Sequence, residues 1–173
     1  MGRLIFCFIL LVILNSGHLY SQNIDTLDYS FKYKNSLQVE LLGTNSLYSI
    51  NLERVILNES KFKTTGQVGL TYLPFDWGAE FLINGMINEL ISFKKHHIEI
   101  GLGYGLAYMS TNKVYQSGNF DFFTGKLGYR FQKPEGNFVF KIAFTPNLLL
   151  QGGQSIDYGL WGGILFGYNF GKK

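Results

Sequence analysis

The chain has 173 residues, with 15 basic and 12 acidic side chains and a formal net charge of +3. Charged residues make up 16% of it, whereas a soluble domain is usually about 25% charged. No cluster of Lys and Arg exceeds a pair, which argues against a nucleic-acid-binding protein. The single cysteine, Cys7, excludes a disulfide framework.

The first 35 residues are predicted to form an export signal and a lead-in. Arg3 precedes an unbroken apolar run, Leu4–Leu14, which ends at Asn15–Gly17. A basic start, a short apolar core and a polar exit are typical of a secretory signal peptide. The run is too short to cross a bilayer as a helix, because a helical span needs about 20 residues. We therefore predict a signal peptide over residues 1–21 and a periplasmic lead-in over residues 22–35.

Residues 36–173 are predicted to form the folded domain, a barrel of about eight strands. Apolar side chains alternate with small or polar ones in eight segments: 36–42, 47–57, 64–73, 81–93, 97–109, 120–132, 137–145 and 156–170. Period two is a strand signal, and the clearest segment, 97–109, is about twice as long as a usual strand of five or six residues. Long strands with one apolar face predict an all-β fold, a transmembrane antiparallel up-and-down β-barrel.

Connections between the segments are predicted to alternate in length. All three prolines, Pro74, Pro134 and Pro146, lie at predicted segment ends, where a missing N–H costs no ladder hydrogen bond. Short turns are typical of the periplasmic side of such barrels and long loops of the extracellular side. The predicted loops span 74–80, 110–119 and 146–155, and they supply Trp77 and Tyr115 as candidate contacts for an extracellular partner.

Four charged side chains are predicted to meet inside the barrel: Glu53, Glu99, Arg130 and Lys141. Eight strands leave an interior that side chains fill, and an unpaired buried charge costs several kcal/mol. These residues therefore predict a structural ion network that plugs the lumen, in preference to an ion pathway. The row Gly101, Gly103 and Gly105 is expected to leave room for the long charged side chains.

Arg54 is predicted to face lipid near the periplasmic end of the barrel. Its long stem can snorkel to the lipid phosphates there. This placement predicts an interfacial lipid anchor.

The sequence contains one weak candidate for a catalytic site, around His97. A hydrolase needs a serine and an acid within reach of a histidine; Ser92 lies across a predicted hairpin, and Glu99 shares the inward face with His97. His96 and His97 are neighbours on a strand and point to opposite faces, which disfavours a shared metal. We predict no catalytic, cofactor-binding or metal-binding residue, and no enzyme.

Four short sequence segments resemble a largely uncharacterised family of small outer-membrane β-barrel proteins from Bacteroidota. They are LYSINLER over 47–54, HIEIGLG over 97–103, GYRFQ over 128–132 and FKIAFTP over 140–146. The resemblance implies a barrel in the outer membrane and brings no catalytic motif with it.

The favoured hypothesis is a monomeric, non-enzymatic outer-membrane barrel that acts through its extracellular loops. Its expected partners are outer-membrane lipids, and the barrel-assembly machinery during biogenesis, since Tyr168–Phe170 resembles a C-terminal assembly signal. Two alternatives stay open: an outer-membrane lipid-modifying enzyme, and a secreted soluble β-barrel with its apolar faces turned inward around an apolar ligand.

Overall fold

The computed structural model describes residues 29–45, 47–76, 78–111, 118–151 and 155–172. The predicted signal peptide, Trp77 and Tyr115 lie outside the described residues. Eight strands are present: β1 (Tyr33–Leu42), β2 (Tyr48–Asn58), β3 (Phe62–Phe75), β4 (Gly78–Phe93), β5 (His96–Thr111), β6 (Gly118–Gln132), β7 (Phe138–Gln151) and β8 (Ser155–Lys172). Each strand pairs antiparallel with the next, and β8 pairs with β1, so the sheet closes on itself. The predicted eight-stranded up-and-down barrel is confirmed.

Alternation along the strands separates an apolar outside from a polar inside. On β5, Leu102 is 73% exposed whereas Glu99, three residues earlier, is 1% exposed. The same contrast holds on β1, where Leu37 and Val39 face outward and Gln38 is fully buried. The pleat produces this pattern, because successive side chains point to opposite faces of the sheet. No helix in the described residues is long and apolar enough to cross a membrane.

The two ends of the barrel differ. The terminal end, defined by Tyr33 of β1 and Lys172 of β8, also carries the turns after β2, β4 and β6. The last residues of β1, β3, β5 and β7 lie at the opposite end. At the opposite end the strands run further than the alternation predicted, since β3 continues to Phe75 and β7 to Gln151. The predicted loops over 74–80 and 146–155 are therefore mostly strand.

Pro146 lies inside β7, contrary to the prediction that all prolines lie at segment ends. It pairs with Leu160 of β8. On its other side the ladder is interrupted, because pairing with β6 stops at Thr124 opposite Asn147 and resumes at Leu127 opposite Phe144. A proline has no N–H to donate, and the gap in the ladder accommodates that loss.

The turn between β1 and β2 folds into the lumen. Leu42 (φ 59°) and Gly43 (φ 97°) adopt left-handed backbone conformations, which are rare for a residue with a side chain. Thr44 and Asn45, which follow, are 2% and 1% exposed. The reversal at Leu42 and Gly43 thus turns the tip of this hairpin inward.

Candidate functional site

An ion network crosses the middle of the lumen and brings together Glu53, Glu99, Arg130 and Lys141. Glu53 accepts from Lys141 Nζ at 2.6 Å through Oε2, and its Oε1 lies 2.8 Å from Arg130 Nη1. Glu99 lies 3.2 Å from Lys141 Nζ and 3.5 Å from Arg130 Nη1. The four side chains come from β2, β5, β6 and β7 and are at most 3% exposed. Each carboxylate thus contacts both cations.

Lys126 also belongs to the network, although the network predicted from the sequence did not contain it. Its Nζ lies 3.6 Å from Glu99 Oε1 and donates to Gln67 Oε1 at 3.0 Å. The network therefore holds three cations against two carboxylates. Its inward position on β6, four residues before Arg130, was the only available signal.

Phe31 closes the lumen at the terminal end. Its ring is 1% exposed and packs with Val55 and Leu90. Asn58 holds the backbone of Phe31 in place, accepting from its N–H and donating to its carbonyl, both at 2.8 Å. Phe31 belongs to the predicted lead-in, a stretch to which the sequence assigned no contact.

A second apolar cluster lies toward the opposite end. Leu82, Ala107 and Phe122 are buried together there, with Phe120 and Leu149 packed against them. The glycine row of β5 makes space for these and other neighbours: a Cβ at Gly105 would lie 2.3 Å from Phe122, and one at Gly103 would lie 2.5 Å from Met86. The prediction that the row leaves room for long charged side chains is therefore wrong.

The Ser92–His97 pair lies beneath Phe31. His97 Nε2 is 3.0 Å from the carbonyl oxygen of Gln132, so this nitrogen carries the hydrogen and donates it. The other ring nitrogen, Nδ1, then accepts from the Ser92 hydroxyl at 2.9 Å. Both ring nitrogens are thus occupied without Glu99. The Phe31 ring covers the imidazole edge-on, with centroids 5.2 Å apart.

The outer face carries a broad apolar belt with a hollow in it. The hollow, of about 910 Å³, is lined by outward glycines at 66, 85 and 125 together with Pro146, and is bordered by side chains such as Leu102 and Phe123. It lies outside the barrel wall and does not belong to the lumen.

Charged side chains also lie on the outer face. Glu89 accepts from Thr64 Oγ1 at 2.7 Å, and Asp121 accepts from Tyr104 at 2.8 Å. Arg54 is exposed in the half of β2 nearer the terminal end, where its Nη1 lies 3.4 Å from Asn35 Oδ1. Each carboxylate on this face thus has a hydroxyl partner.

In the described part of the chain, no group of three or more His, Cys, Asp or Glu side chains is placed to hold a metal ion. Carboxylates of the ion network are satisfied by Lys and Arg, which leaves them no role as metal ligands. The absence concerns groups of three or more such residues and not a site built on a single carboxylate.

No protein-family model matches the sequence, and no curated protein matches it either. The N-terminal β-barrel domain of Pseudomonas aeruginosa OprF is similar in structure, with a TM-score of 0.51 and 13% identity over 82% of this chain and 99% of that one. Ail, the attachment invasion locus protein of Yersinia pestis, solved with the heparin analogue sucrose octasulfate, has a TM-score of 0.49 and 15% identity over 81% of this chain and 100% of that one. At such identities the likeness to the OprF domain concerns the fold. The chain has the fold of a small eight-stranded outer-membrane barrel.

Proposed function

We propose that this chain is an integral outer-membrane barrel with a plugged lumen, which serves a structural or interaction role and is neither an enzyme nor an open pore. The observation that carries the proposal is that an apolar outer belt surrounds a charged interior, with an apolar cluster toward each end of the barrel. Export by the predicted signal peptide, assembly by the barrel machinery and a monomeric state complete the proposal. The proposed membership of the Bacteroidota family rests on the four sequence segments that resemble it, 47–54, 97–103, 128–132 and 140–146.

The outer belt supports the membrane location. Most outward side chains of the described strands are apolar and exposed, for example Leu52 at 54%, Ile87 at 56% and Leu127 at 57%. Large apolar patches on a soluble monomer rarely exceed a few hundred Å², and this belt surrounds the barrel. Lipid is the environment that covers such a surface, and acyl chains would fill the hollow at residues 66, 85 and 125.

Arg54 supports a lipid contact at the terminal end, which we assign to the periplasmic side because its turns, after β2, β4 and β6, are short. Its guanidinium lies on the outer face toward that end, within reach of a lipid phosphate for a snorkelling side chain. Outward Phe62, Phe93 and Phe138 lie at the same end, as expected for an aromatic girdle at an interface. Outer-membrane lipids are therefore the proposed partners of this surface.

The interior supports a structural plug. Taking charges out of water costs several kcal/mol per ion unless they pair well, and here every carboxylate of the network has two or more cations within 4.0 Å. Pairing of this kind offers a passing ion no free ligand. Phe31 toward one end and Phe122 toward the other are each buried in an apolar cluster, which narrows the approach to the network.

Membrane fractionation followed by electrophoresis in SDS, with and without boiling, tests the location and the closed fold. We expect the protein in the outer-membrane fraction, with an unboiled band that migrates faster than the boiled one. Recovery in the soluble periplasmic fraction would contradict the proposal.

Conductance across planar lipid bilayers tests the plug. Purified protein is expected to give no sustained stepwise current under conditions in which an open porin conducts. Regular current steps from the wild-type protein would show that the lumen is a pore.

Loop contacts are tested at Trp77 and Tyr115, the two residues predicted to meet an extracellular partner. Replacing both with serine is expected to lower adhesion of expressing cells while the unboiled band keeps its mobility. Unchanged adhesion would remove these residues from the proposed interaction surface.

A lipid-modifying enzyme is the second candidate, and the hydrogen bond between Ser92 and His97 is the observation that favours it. Phe31 covers this pair, and a backbone carbonyl takes the place of the triad acid at His97 Nε2. Lipid composition measured by mass spectrometry is therefore expected to be the same for wild type and His97→Ala. A lipid species that changes in His97→Ala and equally in Ser92→Ala would establish the enzyme instead.

A soluble barrel around an apolar ligand fits the structure poorly. That hypothesis needs apolar faces inside, and the described inward positions of β1 and β2 are instead Ser36, Gln38, Glu40, Ser49, Asn51, Glu53 and Val55.

A further inference from the structure

Glu40 differs from the other lumenal carboxylates because no cationic group pairs with it among the described residues. It is 2% exposed, and the ion pairs of the described lumen all involve Glu53 or Glu99. Its Oε2 accepts from Ser49 Oγ at 3.0 Å and from Asn51 Nδ2 at 3.4 Å. Its Oε1 has only the Thr44 N–H, at the long distance of 3.5 Å. One oxygen of a buried carboxylate therefore has spare capacity.

The inward turn after β1 places further oxygens beside Glu40 that have no hydrogen-bond partner. Thr44 Oγ1 and Asn45 Oδ1 are both buried and both unpaired. Asn147 donates through Nδ2 to the carbonyl oxygen of Thr44 at 3.2 Å, and its own Oδ1 is also unpaired. A buried polar atom without a partner costs about 1–3 kcal/mol, so three such oxygens around one turn require an explanation.

The unpaired atoms have a consistent chemistry. In the described residues around the turn, the unpaired atoms Thr44 Oγ1, Asn45 Oδ1 and Asn147 Oδ1 are oxygens, while the neighbouring Asn84 has an unpaired Nδ2; Gln38 Oε1 and Asn88 Oδ1 are unpaired elsewhere. Oxygens of carboxylate, hydroxyl and amide groups are the ligands that hard cations such as Ca²⁺ prefer, commonly with water completing six to eight positions. A cation would also supply the positive charge that Glu40 lacks.

We propose that Glu40 and the Thr44–Asn45 turn form a binding site for a hard metal cation of the Ca²⁺ class in the lumen near the opposite end. Two glycines pack closely against this oxygen, since a Cβ at Gly43 would lie 2.5 Å from Oε1 and one at Gly163 would lie 3.2 Å away, so a larger residue at either position would crowd the site. The bound cation holds the turn inside the barrel, on top of the bonds that Asn45 makes to Asn84 and Asn147 makes to Thr44. Hydrogen bonds connect the site to the ion network, since Asn51 accepts from Gln67 Nε2 at 2.9 Å and Gln67 accepts from Lys126 Nζ at 3.0 Å. The proposal does not depend on the proposed function.

Calorimetric titration of the full-length mature barrel in detergent, after treatment with a chelator, tests the site with CaCl₂ as the probe. We expect one Ca²⁺ per barrel and a higher unfolding temperature when Ca²⁺ is present. Glu40→Gln is expected to weaken binding at least tenfold. Glu89→Gln is the matched control, because it removes a carboxylate of the same kind from the outer face and should leave binding unchanged.

A second pair of variants keeps the proposal testable if Glu40→Gln fails to fold. Thr44→Val removes the hydroxyl at nearly constant volume and is expected to weaken Ca²⁺ binding severalfold, whereas Thr124→Val, at a buried threonine on β6, should not. Absence of stoichiometric Ca²⁺ binding to the wild type would overturn the proposal. Binding that survives both Glu40→Gln and Thr44→Val would place the cation elsewhere and overturn it equally.

Discussion

Lys141 on β7 donates to Glu53 on β2 at 2.6 Å, although β8 and β1 separate these strands in the sheet. The bond therefore crosses the lumen and does not run along the wall. In a barrel of eight strands, opposite walls are close enough for side chains to meet. This contact ties two distant hairpins together in addition to the ladder hydrogen bonds.

Glu53→Gln is expected to destabilise the barrel by about 3 kcal/mol, because removing one partner of a buried ion pair leaves the other charges uncompensated. Arg130 and Lys141 would then share Glu99 alone. The free energy of unfolding in urea, measured in lipid vesicles, gives the value. Gln38→Glu provides the converse comparison, since it adds a buried carboxylate on β1 instead of removing one. If Glu53→Gln destabilises the barrel by less than about 1 kcal/mol, the network behaves like an exposed ion pair.

Gly103→Ala is expected to destabilise the barrel by about 1–3 kcal/mol, as overpacking of a filled interior does. A Cβ at Gly103 would lie 2.7 Å from the carbonyl oxygen of Gly85 and 2.5 Å from Met86 Cγ. The matched control is Gly85→Ala on the neighbouring strand, where nothing lies within 4 Å of the added carbon. Equal unfolding free energies for the two variants would contradict the assignment of Gly103 to the filled side of the wall.

Phe31→Ala is expected to expose the terminal end of the lumen to water while the strands stay closed. A thiol introduced by Ser92→Cys then reports the change, because Ser92 is only 8% exposed beneath the cover. Its reaction with a water-soluble maleimide should accelerate at least tenfold when Phe31→Ala is added. A thiol introduced by Ser49→Cys, at the far side of the ion network, serves as the control and should react equally slowly with and without Phe31→Ala. If Phe31→Ala does not accelerate the reaction of the thiol at position 92, Phe31 is not the cover.

Glu89→Leu is expected to stabilise the barrel in lipid vesicles by up to about 1 kcal/mol, because a carboxylate on the lipid face is unfavourable even near the interface. Thr64→Val should have the opposite sign, since it removes the hydroxyl that donates to Glu89 at 2.7 Å. Urea unfolding in vesicles measures both. If Glu89→Leu lowers stability instead, the outer face at β3 and β4 is covered by a polar partner and not by lipid.

Local alternation determined most of the fold. Strand periodicity is a property of neighbouring residues, so the eight strands and their inward and outward faces could be predicted from segments such as 97–109. The same parity placed Glu53, Glu99, Arg130 and Lys141 inside the barrel. The ends of β3, β4 and β7 were predicted too short, because turn-forming residues such as Pro74 and Pro146 can remain in a strand where the ladder tolerates them.

Tertiary structure decided what meets inside the lumen. Which side chains lie at one level depends on the register of every strand pair, so the sequence indicated the inward side of Lys126 but not its position beside Glu99. Phe31 and the turn at Thr44–Asn45 lie in segments without any period, and their burial follows from the closed wall around them. The sequence by itself thus determined the strands and their two faces, since these depend on local alternation. Only the closed barrel decided the ion pairs, the two covers and the unpaired carboxylate of Glu40, because each depends on contacts across the lumen.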